Sequence, residues 1–98
     1  MGKVMLDGYK RKYNIHNGVG YVYEFENGYG ASVVSHDVSY GGDRGLYEIA
    51  VLDSKGDLCY STPITDDVVG YAGKTTVYET LDRIKSLKVV ETTWTFFT

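Results

Sequence analysis

The sequence predicts an α+β domain: an antiparallel sheet of about four to five strands in a meander, one helix in the C-terminal half packed on one face, and a final strand. Three observations support this fold class. Residues 21–26 alternate in polarity and end at an Asn-Gly turn dipeptide, residues 46–52 are apolar at nearly every position, and residues 77–87 carry apolar side chains at helical spacing. All 98 residues are expected to form a single domain, residues 1–98.

Only short strands are predicted before residue 18. One is expected near residues 3–6 and another through Tyr13, Ile15 and His16. The Asp7-Gly8 and Asn17-Gly18 dipeptides mark turns beside them, because glycine and asparagine tolerate positive φ.

A hairpin is predicted from residue 21 to residue 36. Tyr21, Tyr23 and Phe25 alternate with polar or smaller residues, which is the period of a half-buried strand. Asn27-Gly28 follows directly and favours a type I′ turn, because both residues tolerate positive φ. Residues 29–36 should therefore return antiparallel to residues 21–26.

A second pair of strands is predicted after a glycine-rich loop at residues 39–45. Residues 46–52 have the continuous apolar pattern of a central strand with neighbours on both sides. A short turn then leads to a strand at residues 58–62, which should end at Pro63 because proline cannot donate to a ladder.

The helix is predicted in the C-terminal half. Residues 65–73 suggest one helical turn, capped by Thr65 and closed at Gly70, and Thr76 with Glu79 has the spacing of a capping box for the main helix. The apolar stripe of that helix consists of Val77, Leu81, Ile84 and Leu87 or Lys88.

The β-branched and aromatic tail, residues 89–98, predicts the final strand. One helix cannot cover both faces of a five-stranded sheet, so the second face is expected to be solvated or used for contact.

Composition and charge exclude several classes of protein. No apolar run approaches the ~20 residues that cross a bilayer, and Asp7 interrupts the N-terminus before a secretory signal develops, so we expect no membrane partner. The single cysteine, Cys59, favours a reducing compartment. A net charge of -3 argues against nucleic acid as a partner, and the basic run at residues 10–12 is too short to change that expectation.

The ten tyrosines are more than one small core can use fully. They are expected to pack across strands within the sheet or to form a contact surface, since exposed tyrosine is enriched where proteins bind partners. The positions in question are Tyr21, Tyr23, Tyr29, Tyr47, Tyr60 and Tyr71.

Loop residues give the candidate binding site. They lie in the glycine-rich loop and in the segment after Pro63, and they are Tyr40, Asp43, Arg44, Asp66, Asp67 and Tyr71. His16, His36 and Cys59 show neither metal-ligand nor catalytic spacing, so we expect no catalytic residue, no metal and no cofactor. The acids at 66 and 67 are better explained by a helix start, where they complement the dipole.

Three segments resemble small uncharacterised proteins encoded by tailed bacteriophages: residues 25–34, the loop at residues 40–42, and residues 63–71. The resemblance covers roughly residues 21 to 87. It implies a phage origin and the cytoplasm of an infected bacterium, and it implies no activity.

The leading hypothesis is therefore a phage-type accessory protein that acts by binding a host or phage protein, with a homodimer through a sheet edge or the open face as a second form of contact. Two alternatives come from other classes. A small metal- or nucleotide-dependent enzyme would need His36 to converge with Asp43, Asp66 or Asp67. A virion component would assemble into a large symmetric oligomer.

Overall fold

Five strands form one antiparallel sheet in the computed structural model, which describes residues 6–65 and 68–88. Each strand pairs with its neighbour in the chain, in the order β1-β2-β3-β4-β5, so the predicted meander is confirmed. The strands are β1 (Arg11–Ile15), β2 (Gly18–Glu24), β3 (Gly30–Ser35), β4 (Tyr47–Leu52) and β5 (Val69–Ala72). The short strand expected through residues 13–16 is β1, and residues 3–5 lie outside the described residues.

The helix α1 (Lys74–Lys85) packs on one face of this sheet against β3, β4 and β5, as predicted. Its start differs from the capping-box prediction. Gly73 is the N-cap, and the Val77 N–H bonds to the Gly73 carbonyl oxygen at 3.0 Å, so Thr76 already lies inside the first turn. Glycine is tolerated at the N-cap, and Gly73 takes this position with an extended backbone and without a side-chain cap.

The core lies between α1 and the sheet. Its buried side chains come from alternate positions of β2, β3 and β4 and from the apolar stripe of α1. Its members are Leu6, Tyr21, Tyr23, Ala31, Val33, Ile49, Val51, Ala72, Val77, Leu81 and Ile84. The intervening strand positions therefore face away from α1, Glu48 among them.

The β2–β3 hairpin is confirmed, but its predicted type I′ turn is wrong. The Phe25 N–H bonds to the Tyr29 carbonyl at 2.9 Å and the Gly28 N–H bonds to the Phe25 carbonyl at 3.1 Å, which gives a three-residue loop. Within this loop only Gly28 has positive φ, at 93°. The physical reason is that the side chain of Asn27 is turned inward.

Asn27 joins this hairpin to the end of α1. Its Nδ2 donates to the carbonyl oxygens of Ile84 at 2.8 Å, Lys85 at 3.1 Å and Leu87 at 3.1 Å, and its Oδ1 accepts the Tyr29 N–H at 3.0 Å. The last carbonyls of a helix lack partners within the helix, so this amide caps them from another part of the fold. The residue is 7% exposed, which makes this polar contact part of the interior.

The type I′ turn lies in the other hairpin, between β1 and β2, where both turn residues have positive φ. His16 and Asn17 have φ of 45° and 60°, and Ile15 pairs with Gly18. This is the pattern of a type I′ turn. Asn17 therefore occupies the second turn position, and Gly18 begins the next strand.

The segments that pair with β4 on the side away from β3 differ from the prediction in two ways. The expected strand at residues 58–62 is reduced to a single bridge between Leu52 and Leu58, with the Cys59 N–H bonded to the Val51 carbonyl at 2.8 Å. Of the helical turn expected within residues 65–73, residues 66 and 67 lie outside the described residues, and the described part is a strand instead, because β5 (Val69–Ala72) pairs there with the first half of β4. The strand expected at residues 89–98 lies outside the described residues.

Candidate functional site

A β-bulge in β5 organises the most distinctive surface of the molecule. Tyr47 pairs with Ala72 and Ile49 pairs with Val69, so two residues, Gly70 and Tyr71, stand opposite the single residue Glu48. A bulge of this kind bends its strand and redirects a side chain. Tyr71 adopts a left-handed φ of 53°, which costs a residue with a Cβ on the order of 1 kcal/mol.

The bulge also fixes the backbone of Tyr40 from the glycine-rich loop. The Tyr71 N–H donates to the Tyr40 carbonyl at 3.2 Å, and the Tyr40 N–H donates to Glu48 Oε1 at 2.8 Å. Both polar groups of the Tyr40 peptide backbone are thus bonded to the sheet. The loop residue is held on the face opposite α1.

The rings of Tyr40 and Tyr71 stack, with centroids 6.4 Å apart and planes inclined by 25°. We call these two residues the tyrosine pair. They are 57% and 59% exposed, so most of both side chains is accessible to solvent although their backbone is held by hydrogen bonds.

Two glycines allow the close approach of the tyrosine pair. A Cβ on Gly70 would lie 2.8 Å from the Tyr40 Cβ, and a Cβ on Gly41 would lie 2.9 Å from the Tyr71 Cα. Each tyrosine therefore packs against the glycine that is next to the other tyrosine in the chain. A methyl group at either glycine would push the two strands of backbone apart.

Hydrogen bonds within the loop before Tyr40 hold its shape. Ser39 Oγ accepts the His36 N–H at 2.9 Å and donates to the His36 carbonyl at 3.0 Å, while the Val38 N–H donates to His36 Nδ1 at 3.2 Å. Val38 itself is 72% exposed. The loop thus exposes the apolar side chain of Val38, two positions before Tyr40 in the chain, on a backbone held by hydrogen bonds.

The structure describes four of the six candidate residues that were predicted from the sequence. The structure brings Tyr40 and Tyr71 together. Asp43 and Arg44 follow in the short 3₁₀ helix Gly42–Arg44, where both are exposed and, among the described residues, neither side chain forms a hydrogen bond or ion pair. Asp66 and Asp67 lie outside the described residues.

Glu48 is the residue of this surface that the sequence interpretation missed. It is the one charged position in the apolar run at residues 46–52, and that isolation is the signal that could have identified it. A carboxylate that points away from the core can stay in contact with water and still accept a hydrogen bond from a neighbouring backbone N–H. Its partner is the Tyr40 N–H, so Glu48 positions the tyrosine pair rather than serving as a chemical group.

Some of the tyrosines singled out from the sequence lie in the core, and others lie on the surface. Tyr21 and Tyr23 are each only 2% exposed, and Tyr29 and Tyr47 pack against the core while remaining half-buried. Tyr60 is 48% exposed but lies outside the tyrosine pair. Tyrosine packing within the sheet and an exposed tyrosine surface are therefore both present.

The histidines do not form a recognisable reaction site. His16 and His36 meet edge to face, with ring centroids 5.2 Å apart, and His36 Nδ1 accepts a backbone N–H. Within residues 6–65 and 68–88, no group of three or more His, Cys, Asp or Glu side chains could hold a metal ion. No helix in the same part of the chain is long and apolar enough to cross a membrane.

A cleft of about 470 Å³ lies elsewhere, between the β2–β3 hairpin and α1. Acidic side chains line it, including Asp7, Glu26 and Asp82. The ammonium group of Lys85 lies 5.6 Å from the centroid of the Phe25 ring in the same cleft. The protein therefore places one of its own cations within this acidic cleft.

Substitution of Tyr71 tests the left-handed backbone. We expect Tyr71→Gly to be more stable than Tyr71→Ala by about 1 kcal/mol, because both remove the ring but only alanine keeps a Cβ at positive φ. Urea denaturation of the two variants measures the difference. At the exposed strand position Asn14 the order should reverse, with glycine the less stable by about 1 kcal/mol. The same order at both positions would contradict the strained conformation.

Comparison with known proteins adds no family to this site. No family model matches the chain, and searches of curated proteins and of solved structures find no similar protein. The function is therefore inferred from the tyrosine pair and its surroundings.

Proposed function

We propose that the chain is a small phage-type accessory protein that acts by binding another protein, of the phage or its host, through the tyrosine pair. The observation that supports this most directly is the exposure of two stacked tyrosine rings on a backbone fixed by hydrogen bonds. Tyrosine is among the residues that contribute most to the energy of protein interfaces. No residue takes part in a reaction, and the bacterial cytoplasm follows from the phage origin as part of the same proposal.

The fixed backbone favours binding, because the Tyr40 backbone has little conformational freedom left to lose when a partner binds. Ordering a flexible side chain or loop opposes association, and the Tyr40 peptide is already bonded on both sides to the sheet. The rings themselves lose only two torsions each on binding. A partner would therefore gain most of the free energy of burying them.

The strained residue at the centre of the site supports the same proposal. Backbone strain persists where the surrounding structure imposes it, and such residues concentrate at functional positions. A glycine at position 71 would adopt the same φ without cost. Tyrosine at this position gives the surface a large ring at the expense of stability.

Affinity capture from bacterial lysate tests the proposal. The tagged wild-type protein and the Tyr60→Ala variant should retain the same stoichiometric partner, since Tyr60 is exposed but outside the pair. Tyr40→Ala and Tyr71→Ala should each weaken binding about 30-fold or more, corresponding to the ~2 kcal/mol of a hot spot. Binding constants are then measured with the purified partner.

Circular dichroism of each variant confirms that the fold is retained. A partner captured equally by wild type and by both tyrosine variants would contradict binding at this site. If the captured protein is a second copy of the chain, sedimentation should show a dimer that the two substitutions dissociate, and the partner is then the protein itself.

A further inference from the structure

We infer that the contact between the His36 imidazole ring and the Val38 backbone is a pH-sensitive switch, formed while His36 is neutral and broken when the ring is protonated. The two groups lie on the loop that follows β3, where the Val38 N–H donates to His36 Nδ1 at 3.2 Å. We call this contact the histidine switch. It lies within one chain and needs no partner, so it does not depend on the proposed function.

The hydrogen bond of the histidine switch exists in only one charge state. A neutral imidazole has one nitrogen that accepts and one that donates, whereas both nitrogens of the imidazolium donate. Because Nδ1 accepts the Val38 N–H, its lone pair is free and the ring proton lies on Nε2. Protonation of Nδ1 sets two donors against each other, so the ring and the Val38 peptide must separate.

The bonds between Ser39 and His36 do not involve the imidazole ring. Ser39 Oγ accepts the His36 N–H at 2.9 Å and donates to the His36 carbonyl at 3.0 Å, and the Ser39 N–H donates to the same carbonyl at 3.2 Å. These bonds keep the base of the loop in place in both charge states. Protonation therefore releases the Val38 peptide, whose apolar side chain is 72% exposed, rather than the whole loop.

A second histidine faces the switch from the turn between β1 and β2. The ring of His16 meets the ring of His36 edge to face, with centroids 5.2 Å apart. When both rings are protonated, two positive charges lie at about this separation and repel each other. This repulsion acts in the same direction as the loss of the Val38 hydrogen bond.

Three further titratable side chains line the cavity beside His36, and they are Asp37, Tyr47 and Lys74. The Asp37 carboxylate accepts a hydrogen bond from Asn17 Nδ2 at 2.9 Å, which holds it to the β1–β2 turn. Burial raises the pKa of Tyr47, so its hydroxyl keeps its proton in acid. Histidine is the side chain whose ordinary pKa places its change of charge between about pH 5 and pH 8, so the histidines respond in that range.

A pH titration followed by two-dimensional NMR of the ¹⁵N-labelled full-length chain tests the histidine switch. Between about pH 8 and pH 5 the Val38 amide signal should shift in one transition. Its heteronuclear NOE should fall over the same transition, because the released peptide moves more freely on the picosecond to nanosecond timescale. The amide signal of buried Val51 should stay in place, which shows that the fold is retained.

His36→Asn is the matched variant. The side-chain oxygen of asparagine accepts the backbone N–H two residues further on, as Nδ1 does here, but it does not titrate. The Val38 signal and its NOE should therefore stay constant over the same pH range. His16→Asn, at a turn position whose positive φ asparagine tolerates, should retain the transition because the His36 contact remains.

Three results would overturn the inference. The first is a wild-type Val38 signal that does not respond to pH. The second is a transition that persists in His36→Asn, because another group would then be its cause. The third is loss of the transition in His16→Asn, which would assign it to His16. None of these measurements involves a partner, so they leave binding at the tyrosine pair to its own test.

Discussion

Replacing Asn27 with alanine is expected to lower the free energy of unfolding by about 3 kcal/mol. The substitution removes one amide that donates to the Ile84, Lys85 and Leu87 carbonyl oxygens and accepts the Tyr29 N–H. Groups left without partners in the interior cost about 1 to 3 kcal/mol each, and the residue is 7% exposed. Urea denaturation gives the free energy, and thermal unfolding should show a fall in Tm on the order of 15 °C.

Two further variants separate this contact from a general effect of the substitution. Asn14→Ala, on exposed β1, should change stability by less than about 0.5 kcal/mol. Asn27→Asp has nearly the same shape and keeps the acceptor for Tyr29, but it places a negative charge beside the C-terminal carbonyls of α1, so it should be at least as damaging at neutral pH. An Asn27→Ala protein as stable as wild type would show that the hairpin and helix are held together by apolar packing alone.

Alkaline pH is expected to destabilise the protein steeply above about pH 10, the ordinary pKa of tyrosine. Burial is the largest cause that raises the pKa values of Tyr21, Tyr23 and Tyr47 in the folded state, and nearby Tyr78 also raises each of them. Below pH 10 both states keep these protons, and stability is complete. Above it the unfolded chain releases protons that the folded chain retains, so stability is lost as pH rises.

The slope of that loss can be assigned to individual residues. Each tyrosine that ionises only on unfolding contributes about 1.4 kcal/mol per pH unit, and Tyr23, whose pKa burial raises strongly, contributes this full slope. Urea denaturation at several pH values between 10 and 12 measures the slope. Tyr23→Phe should reduce it by about 1.4 kcal/mol per pH unit, whereas Tyr60→Phe, at an exposed position, should leave it unchanged. Equal slopes in these two variants would contradict ionisation on unfolding as the cause.

The parts of the fold that local pattern determines were predictable from sequence. The alternation at residues 21–26 and the apolar run at residues 46–52 correspond to β2 and β4, and the helical stripe corresponds to α1. The period of the apolar residues in these patterns shows which side chains share one face, and that face is the one that the sheet or the helix buries. The same patterns predicted the meander, because short turns link neighbouring strands.

The parts that depend on distant contacts were not predictable. The Asn27-Gly28 dipeptide favours a type I′ turn by local preference, but Asn27 bonds to carbonyls 57 to 60 positions away, and this tertiary contact selects another turn. The segment containing β5 resembles a helical turn locally, yet pairing with β4 makes it a bulged strand. Local preference is weaker than such pairing.

Two of the six candidate site residues show the same limit of local sequence patterns. Tyr40 and Tyr71 were each predicted from the sequence as binding residues, but the sequence does not reveal that they stack, since they lie 31 positions apart. Their contact depends on Glu48 and on a β-bulge. A bulge is created by the register between two strands, so no pattern within β5 alone specifies it.

The neighbour-to-neighbour order of the strands has a consequence for how the chain acquires its structure. Each pairing along β1, β2, β3 and β4 joins segments that a modest loop already brings close, so most of the sheet can form with little loop-closure entropy to overcome. Folds dominated by such local contacts reach the native state faster than those that pair distant strands. The Asn27 contact with α1 spans a much longer stretch of chain than any of these strand pairings, so it is suited to lock an assembled sheet and helix together at a late step of folding.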